Sequence, residues 1–130
     1  MSKPVTKNFY KNYVQKAEEM LDVARYAASK SENNAAVIAS VHCAINSIDT
    51  LAVFYLGKRH SGSHEMAINA ARSIMNDAEY REFSKQFSGL ISLKNQAEYQ
   101  PDLMTPLQAR EAVARASRIL SKVKQKLPER

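Results

Sequence analysis

The sequence predicts an all-α fold: an up-and-down antiparallel bundle of four long helices and one shorter helix. Three observations carry this. Only 3 Gly and 4 Pro occur in 130 residues, which leaves little turn chemistry for a many-stranded sheet. Apolar residues recur at helical spacing through four long stretches. Short polar segments separate those stretches, so consecutive helices should pack as antiparallel neighbours. The length suits one domain over residues 1–130, able to bury roughly two-thirds of the surface its unfolded chain exposes. Residues 1–4 and 128–130 are expected to fray.

The first helix is read from about Val5 to Ser29, with Tyr10, Tyr13, Val14, Ala17, Met20, Leu21, Ala24, Ala27 and Ala28 as its stripe. Ser31-Glu32-Asn33-Asn34 supplies a turn and capping groups. The second helix spans about Asn34 to Leu56 and should turn Ile38, Val41, Ile45, Ile48, Ala52 and Tyr55 inward. Gly57 suits its stop, where a left-handed residue is needed. A polar loop, residues 58–63, leads to a third helix from His64 to about Met75. Asp77 is the expected cap of a fourth helix carrying Tyr80, Phe83, Phe87, Leu90, Ile91 and Ala97, and Pro101 ends it. Thr105-Pro106-Leu107-Gln108 is a strong helix start, with Thr at the cap, Pro at the first position and Gln three residues after the cap. The fifth helix runs through Ala112, Ala116, Ile119 and Val123 to Leu127. No segment reads as a strand, and no repeat is visible.

Composition narrows the setting. The net charge of +6 divides into +9 on residues 1–16 and 110–130 and −3 between them. Basic ends favour an anionic partner, nucleic acid ahead of membrane, or else serve as solvated faces. Cys43 is alone, so no internal disulfide forms, and a reducing cytoplasm is the expected location. No Cys or His spacing suggests a metal, and no cofactor is expected. No run of about 20 apolar residues suggests a membrane span, and no secretory leader core is expected at the N-terminus.

A polar stripe on the second helix is the first candidate site. His42, Asn46 and Asp49 stand at i, i+4 and i+7, on one helical face of an otherwise apolar segment. A buried carboxylate without a partner costs several kcal/mol or shifts its pKa, so Asp49 needs a donor or water nearby. His42 can exchange a proton near neutral pH, and Asp49 can orient an imidazole or hold a ribose hydroxyl. The same groups can also fix helix register. Cys43 reads as a small core residue. The loop Arg59-His60-Ser61-Gly62-Ser63-His64 offers a guanidinium for phosphate beside a helix start. Finally, Lys94-Asn95-Gln96-Ala97-Glu98-Tyr99 pairs Lys94 with Glu98 across one turn and leaves the Tyr99 hydroxyl or ring for a ligand.

These segments resemble the HEPN family (higher eukaryotes and prokaryotes nucleotide-binding), including its small stand-alone members. The resemblance rests on Ala44-Ile45-Asn46-Ser47-Ile48-Asp49-Thr50-Leu51, on Gly57, Arg59 and His64, and on Lys94 through Tyr99. It spans about residues 10–127. It implies an up-and-down bundle, a homodimer, and nucleotide or RNA association, often in toxin–antitoxin or defence systems with a nucleotidyltransferase or antitoxin partner. Many members that cut RNA use an Arg, a polar residue and a His four to six positions after the Arg. Residues 59–64 fit that pattern, although Gly62 interrupts any helix between them.

Three readings stay open. In the first, a non-catalytic module binds nucleotide or RNA through His42, Asn46, Asp49, Arg59, His64, Lys94 and Tyr99. In the second, a helical adaptor dimerises and its polar stripe only fixes packing. In the third, a metal-independent ribonuclease uses His64 as general base and Arg59 to stabilise the phosphorane.

Overall fold

The computed structural model describes residues 2–60 and 64–128; the side chains of residues 2, 60 and 64–67 lie outside the described set. Five helices make the bundle: α1 (Tyr10–Ser29), α2 (Asn33–Leu56), α3 (His64–Ala71), α4 (Asp77–Tyr99) and α5 (Pro106–Gln125). Two short strands, β1 (Ser2–Pro4) and β2 (Lys58–His60), pair antiparallel, with Lys3 opposite Arg59 and Pro4 opposite Lys58. A single 3-10 turn, Lys7–Phe9, joins β1 to α1.

The all-α expectation holds in its architecture. Val14, Ala17, Leu21 and Ala24 on α1 are buried at three- and four-residue spacing, and their small side chains let α1 lie close on α2. α2 is the central helix. It touches α1, α3, α4 and α5, and fourteen of its residues are buried. α1 and α4 lie on opposite sides of the α2–α5 pair and do not touch each other. In the N-terminal half of α2 only Ala35 and His42 are exposed.

The ends of the helices follow local chemistry. Ser31 adopts φ 60° in the tight α1–α2 turn, and Gly57 takes φ 67° as the stop of α2. Thr105 and Gln108 close a reciprocal capping box at α5, with Pro106 at the first position. The α4–α5 loop is pinned to the start of α2. There the Asn33 side chain donates to the Met104 carbonyl at 3.2 Å, and the Met104 amide donates to Asn34 Oδ1 at 2.8 Å.

Several expectations need correction. Residues 2–4 and 58–60 form a ribbon where fraying and a loop were expected, and Gly57 O anchors it by accepting from the Val5 amide at 2.9 Å. The first α-helix begins at Tyr10, five residues later than its periodicity suggested. α3 stops at Ala71 rather than near Met75. The cap of α4 is Asn76, one residue before Asp77, because Asn76 and Glu79 exchange both capping-box hydrogen bonds. Tyr55 is 45% exposed rather than inward; its hydroxyl donates to the Lys126 carbonyl at the end of α5. By length and composition α2 is apolar enough to cross a membrane, contrary to the sequence expectation. However, 72% of that window is buried among the other helices. Such a helix serves here as the core of the bundle.

Candidate functional site

The chemistry gathers where α2 passes under the β1–β2 ribbon and beside α1. Asp49 is held there by α2 at 6% exposure, among the few buried polar side chains of the described chain. Burial pushes its carboxyl from an ordinary 3.8 up to about 6; the nearby Arg59 and Lys16 cations pull the other way without cancelling the effect. Among the described residues Asp49 closes no salt bridge. Its charge is therefore disfavoured by the fold that holds it.

Tyr13 organises the two cations. Its hydroxyl accepts a hydrogen bond from the Arg59 guanidinium, which helps keep that group protonated. Its ring lies 5.4 Å from Lys16 Nζ in a cation–π contact. Tyr13 and Lys16 stand one turn apart on α1, so a single helical face presents both. Arg59 reaches the same place from β2, and its Nε is buried with no hydrogen-bond partner among the described residues. A buried donor left unmade costs of order 1–3 kcal/mol, so this nitrogen favours an acceptor nearby. Charge on the ribbon reinforces the point. Lys3 lies directly opposite Arg59, and like charges in that cross-strand position destabilise a pair. Lys58 and Lys7 stand nearby in the chain, Lys7 with its Nζ 4.3 Å from the Phe54 ring. Two cations around one carboxylate leave a local positive excess. The arrangement suits an anionic group at Arg59 and Lys16 and a hydroxyl or N–H donor at Asp49.

The other predicted residues are dispersed. His42 lies on the same helix as Asp49, about 10 Å up its axis. It is exposed, while Asn46 between them is half-buried. The stripe therefore runs from solvent to interior because only its lower end is covered. Lys94 is half-buried and pairs with Glu98 at 3.1 Å; its Nζ is also 5.8 Å from the Tyr99 ring. Tyr99 is 71% exposed. Lys94 and Tyr99 belong to the end of α4, which lies by the start of α2, so they stand about 15–20 Å along the bundle from Asp49. Residues 61–63 and the His64 side chain lie outside the described residues, which leaves the Arg59–His64 relation there too. Burial pushes the Cys43 thiol up to about 11, so it is an inert core group.

A cavity of about 380 Å³ opens at the other end of α2, lined by residues 31–35 with Leu103 and Met104. Its one charged lining residue is Glu32, which repels an anion. The electrostatics thus favour the Asp49 corner over this hollow. Sequence reading missed Tyr13 and Lys16 as site residues. Their signal was present as an aromatic and a cation one turn apart on the basic first helix, but nothing local pointed to the ribbon that brings Arg59 to them.

Comparison with known proteins gives this geometry a context. The model of the HEPN domain family matches residues 10–126, nearly the whole chain. The chain belongs to the HEPN family. Its fold matches the crystal structure of ST0689, an archaeal HEPN homologue, with a TM-score of 0.69 at 21% identity over 89% of this chain and 95% of that one. No curated protein matches the sequence. The HEPN match covers all five helices and Asp49, Arg59 and their α1 neighbours, and leaves residues 1–9, with β1 and the 3-10 turn, and 127–130 outside.

Proposed function

We propose that this HEPN domain is a non-catalytic nucleotide- or RNA-binding module, with Tyr13, Lys16, Asp49 and Arg59 at the centre of its site. The observation that carries the reading is the buried Arg59 Nε, unpartnered among the described residues, beside a carboxyl that burial has pushed up to about 6. A phosphate accepting from Arg59 and Lys16 satisfies that donor and offsets the cation excess. Asp49 then accepts from a ribose hydroxyl or a base N–H. The cationic ribbon of Lys3, Lys58 and Arg59 extends the same potential outward. His42 and Asn46 continue the stripe away from this corner, His64 follows from the ribbon, and Lys94 and Tyr99 extend the surface toward the far end of α4. The same reading includes a homodimer, cytoplasmic location, and a nucleotidyltransferase or antitoxin as cognate partner in a toxin–antitoxin or defence system.

Fluorescence anisotropy with a labelled single-stranded RNA and competing mononucleotides tests it. Arg59→Ala is expected to weaken binding by about tenfold or more, the loss of one charged hydrogen-bonded contact. Asp49→Asn should narrow the preference for ribose over deoxyribose ligands. Unchanged affinity in both variants defeats the site. No binding by the native protein at low salt favours the adaptor reading instead. RNA cleavage by the pure protein that is lost in both Arg59→Ala and His64→Ala converts the site to a ribonuclease centre.

A further inference from the structure

Away from the Asp49 corner, α4 and α5 enclose a groove of their own. A cavity of about 220 Å³ opens there, floored by Phe83 and Ile119, which are 3% and 1% exposed. Gln86 stands at its edge, 8% exposed, and its carboxamide is oriented by charge at both ends. Gln86 Nε2 donates to Glu82 Oε1 at 2.8 Å, and Gln86 Oε1 accepts from Arg118 at 3.4 Å and from Arg115 at 3.4 Å. The amide thus holds a carboxylate and a guanidinium apart at a fixed spacing, with the apolar floor beside them.

The charges at the rim are not equivalent. Glu79 is engaged by Lys122 at 3.4 Å and Lys126 at 2.7 Å, so its carboxylate is already paired. Arg115 is committed to Glu111 at 3.0 Å and to the Lys85 carbonyl at 3.3 Å, and it packs where a side chain at Gly89 would stand. Glu82 and Arg118 have no ion-pair partner among the described residues, and each is bonded only to neutral Gln86. An acid and a base of opposite sign therefore flank one small apolar floor with their charges uncommitted.

We propose that this groove binds a small apolar zwitterion, an α-amino acid with an aliphatic or aromatic side chain. The ligand's ammonium donates to Glu82, its carboxylate accepts from Arg118, and its side chain covers Phe83 and Ile119. Its head group runs parallel to the Gln86 carboxamide and bridges the same two groups in the same sense, donor toward Glu82 and acceptor toward Arg118. The volume is below the roughly 300–1,000 Å³ of drug-sized pockets, which limits the ligand to a single small molecule of this kind. The site is independent of the nucleotide reading, since it shares no residue with the Asp49 corner.

Nitrogen–proton correlation NMR on the whole protein tests this, with L-leucine and L-phenylalanine as probes. The Gln86 side-chain amide and the amides of Phe83, Arg118 and Ile119 should shift saturably, with a Kd on the order of 1 mM for so small a contact. Arg118→Ala and Glu82→Gln should each weaken binding about tenfold. Both variants keep the fold readable: Arg115 still donates to Gln86 Oε1 in the first, and a carboxamide at position 82 still accepts from Gln86 in the second. 4-Methylpentanoate and 3-methylbutylamine, which each keep one of leucine's charges, should bind markedly less well. Absence of saturable shifts, equal shifts from either singly charged analogue, or shifts that persist unchanged in Arg118→Ala overturns the proposal.

Discussion

Asp49 and Glu79 are both carboxylates flanked by two cations, yet the fold treats them in opposite ways. Glu79 lies at the start of α4, where Lys126 donates at 2.7 Å, Lys122 at 3.4 Å, and the Asn76 amide completes the capping box. The Lys126 contact, followed by the Asn76 amide, pulls its carboxyl down to about 2. Asp49 also has two cations nearby, but burial dominates and its carboxyl rises to about 6. The difference is hydrogen bonding. Glu79 is contacted directly at an exposed helix end, whereas Arg59 spends its contact on Tyr13 and Lys16 sits over a ring. A carboxylate that serves the fold is satisfied by it. One that the fold destabilises when charged is the group we propose is held for a ligand.

The largest expected effect follows from that contrast. A carboxyl whose folded pKa is raised gives stability that is present below its unfolded pKa, near 3.8, and lost as pH rises through about 6. The gap corresponds to about 3 kcal/mol at pH 8. Asp49→Asn removes the charge and nearly keeps the shape, so it should raise the unfolding free energy at pH 8 by up to about 3 kcal/mol. The variant should lose this advantage at pH 4. Urea melts of both proteins at pH 4, 6 and 8 read the difference directly. A variant less stable than the native protein at pH 8 means that Arg59 and Lys16 already satisfy the charge, and the contrast with Glu79 disappears.

Much of this molecule was legible in its sequence, and the exceptions share a cause. The Thr105–Gln108 box, the Gly57 stop and the apolar stripes are local patterns, and each stands where its spacing implies. The β1–β2 ribbon pairs residues more than fifty positions apart through three-residue strands, too short to carry an alternating pattern. With the ribbon invisible, nothing indicated that Arg59 would reach Tyr13. Likewise the spacing of His42, Asn46 and Asp49 correctly gave one helical face, but spacing does not say how far neighbours cover that face. Asp49 lies beneath structure and His42 does not. The fold was thus readable from periodicity, while the site depended on long-range coverage.

A smaller effect sharpens the other half of the comparison. Asn76 caps α4 by accepting from the Glu79 amide at 2.8 Å while Glu79 returns the bond. Asn76→Ala should cost about 1 kcal/mol, the ordinary value of a lost N-cap. The Asn76 backbone N–H, the second-largest influence that lowers the Glu79 carboxyl, is kept in this variant, so any change there comes from loosened cap geometry alone. Carbon-detected NMR titration of the Glu79 carboxyl in this variant should therefore give a midpoint that stays well below 4.5. A midpoint near 4.5 means that the cap geometry, rather than the lysines, holds the carboxyl down.

The smallest effect is the most diagnostic of how Glu79 works. A group with a depressed folded pKa gives stability that is present above its unfolded value, near 4.5, and lost as pH falls toward about 2. Glu79→Gln should therefore lower the melting temperature at pH 7, and the two proteins should converge as pH approaches 2. Salt should shrink the gap, since partly exposed ion pairs are screened. The Asp49→Asn gap at pH 8 should respond far less, because its origin is desolvation rather than pairing. Thermal melts at 0.05 and 0.5 M NaCl separate the two mechanisms. If both gaps fall in proportion, Asp49 is governed by the same surface electrostatics as Glu79, and the argument that its burial marks a binding site loses its physical basis.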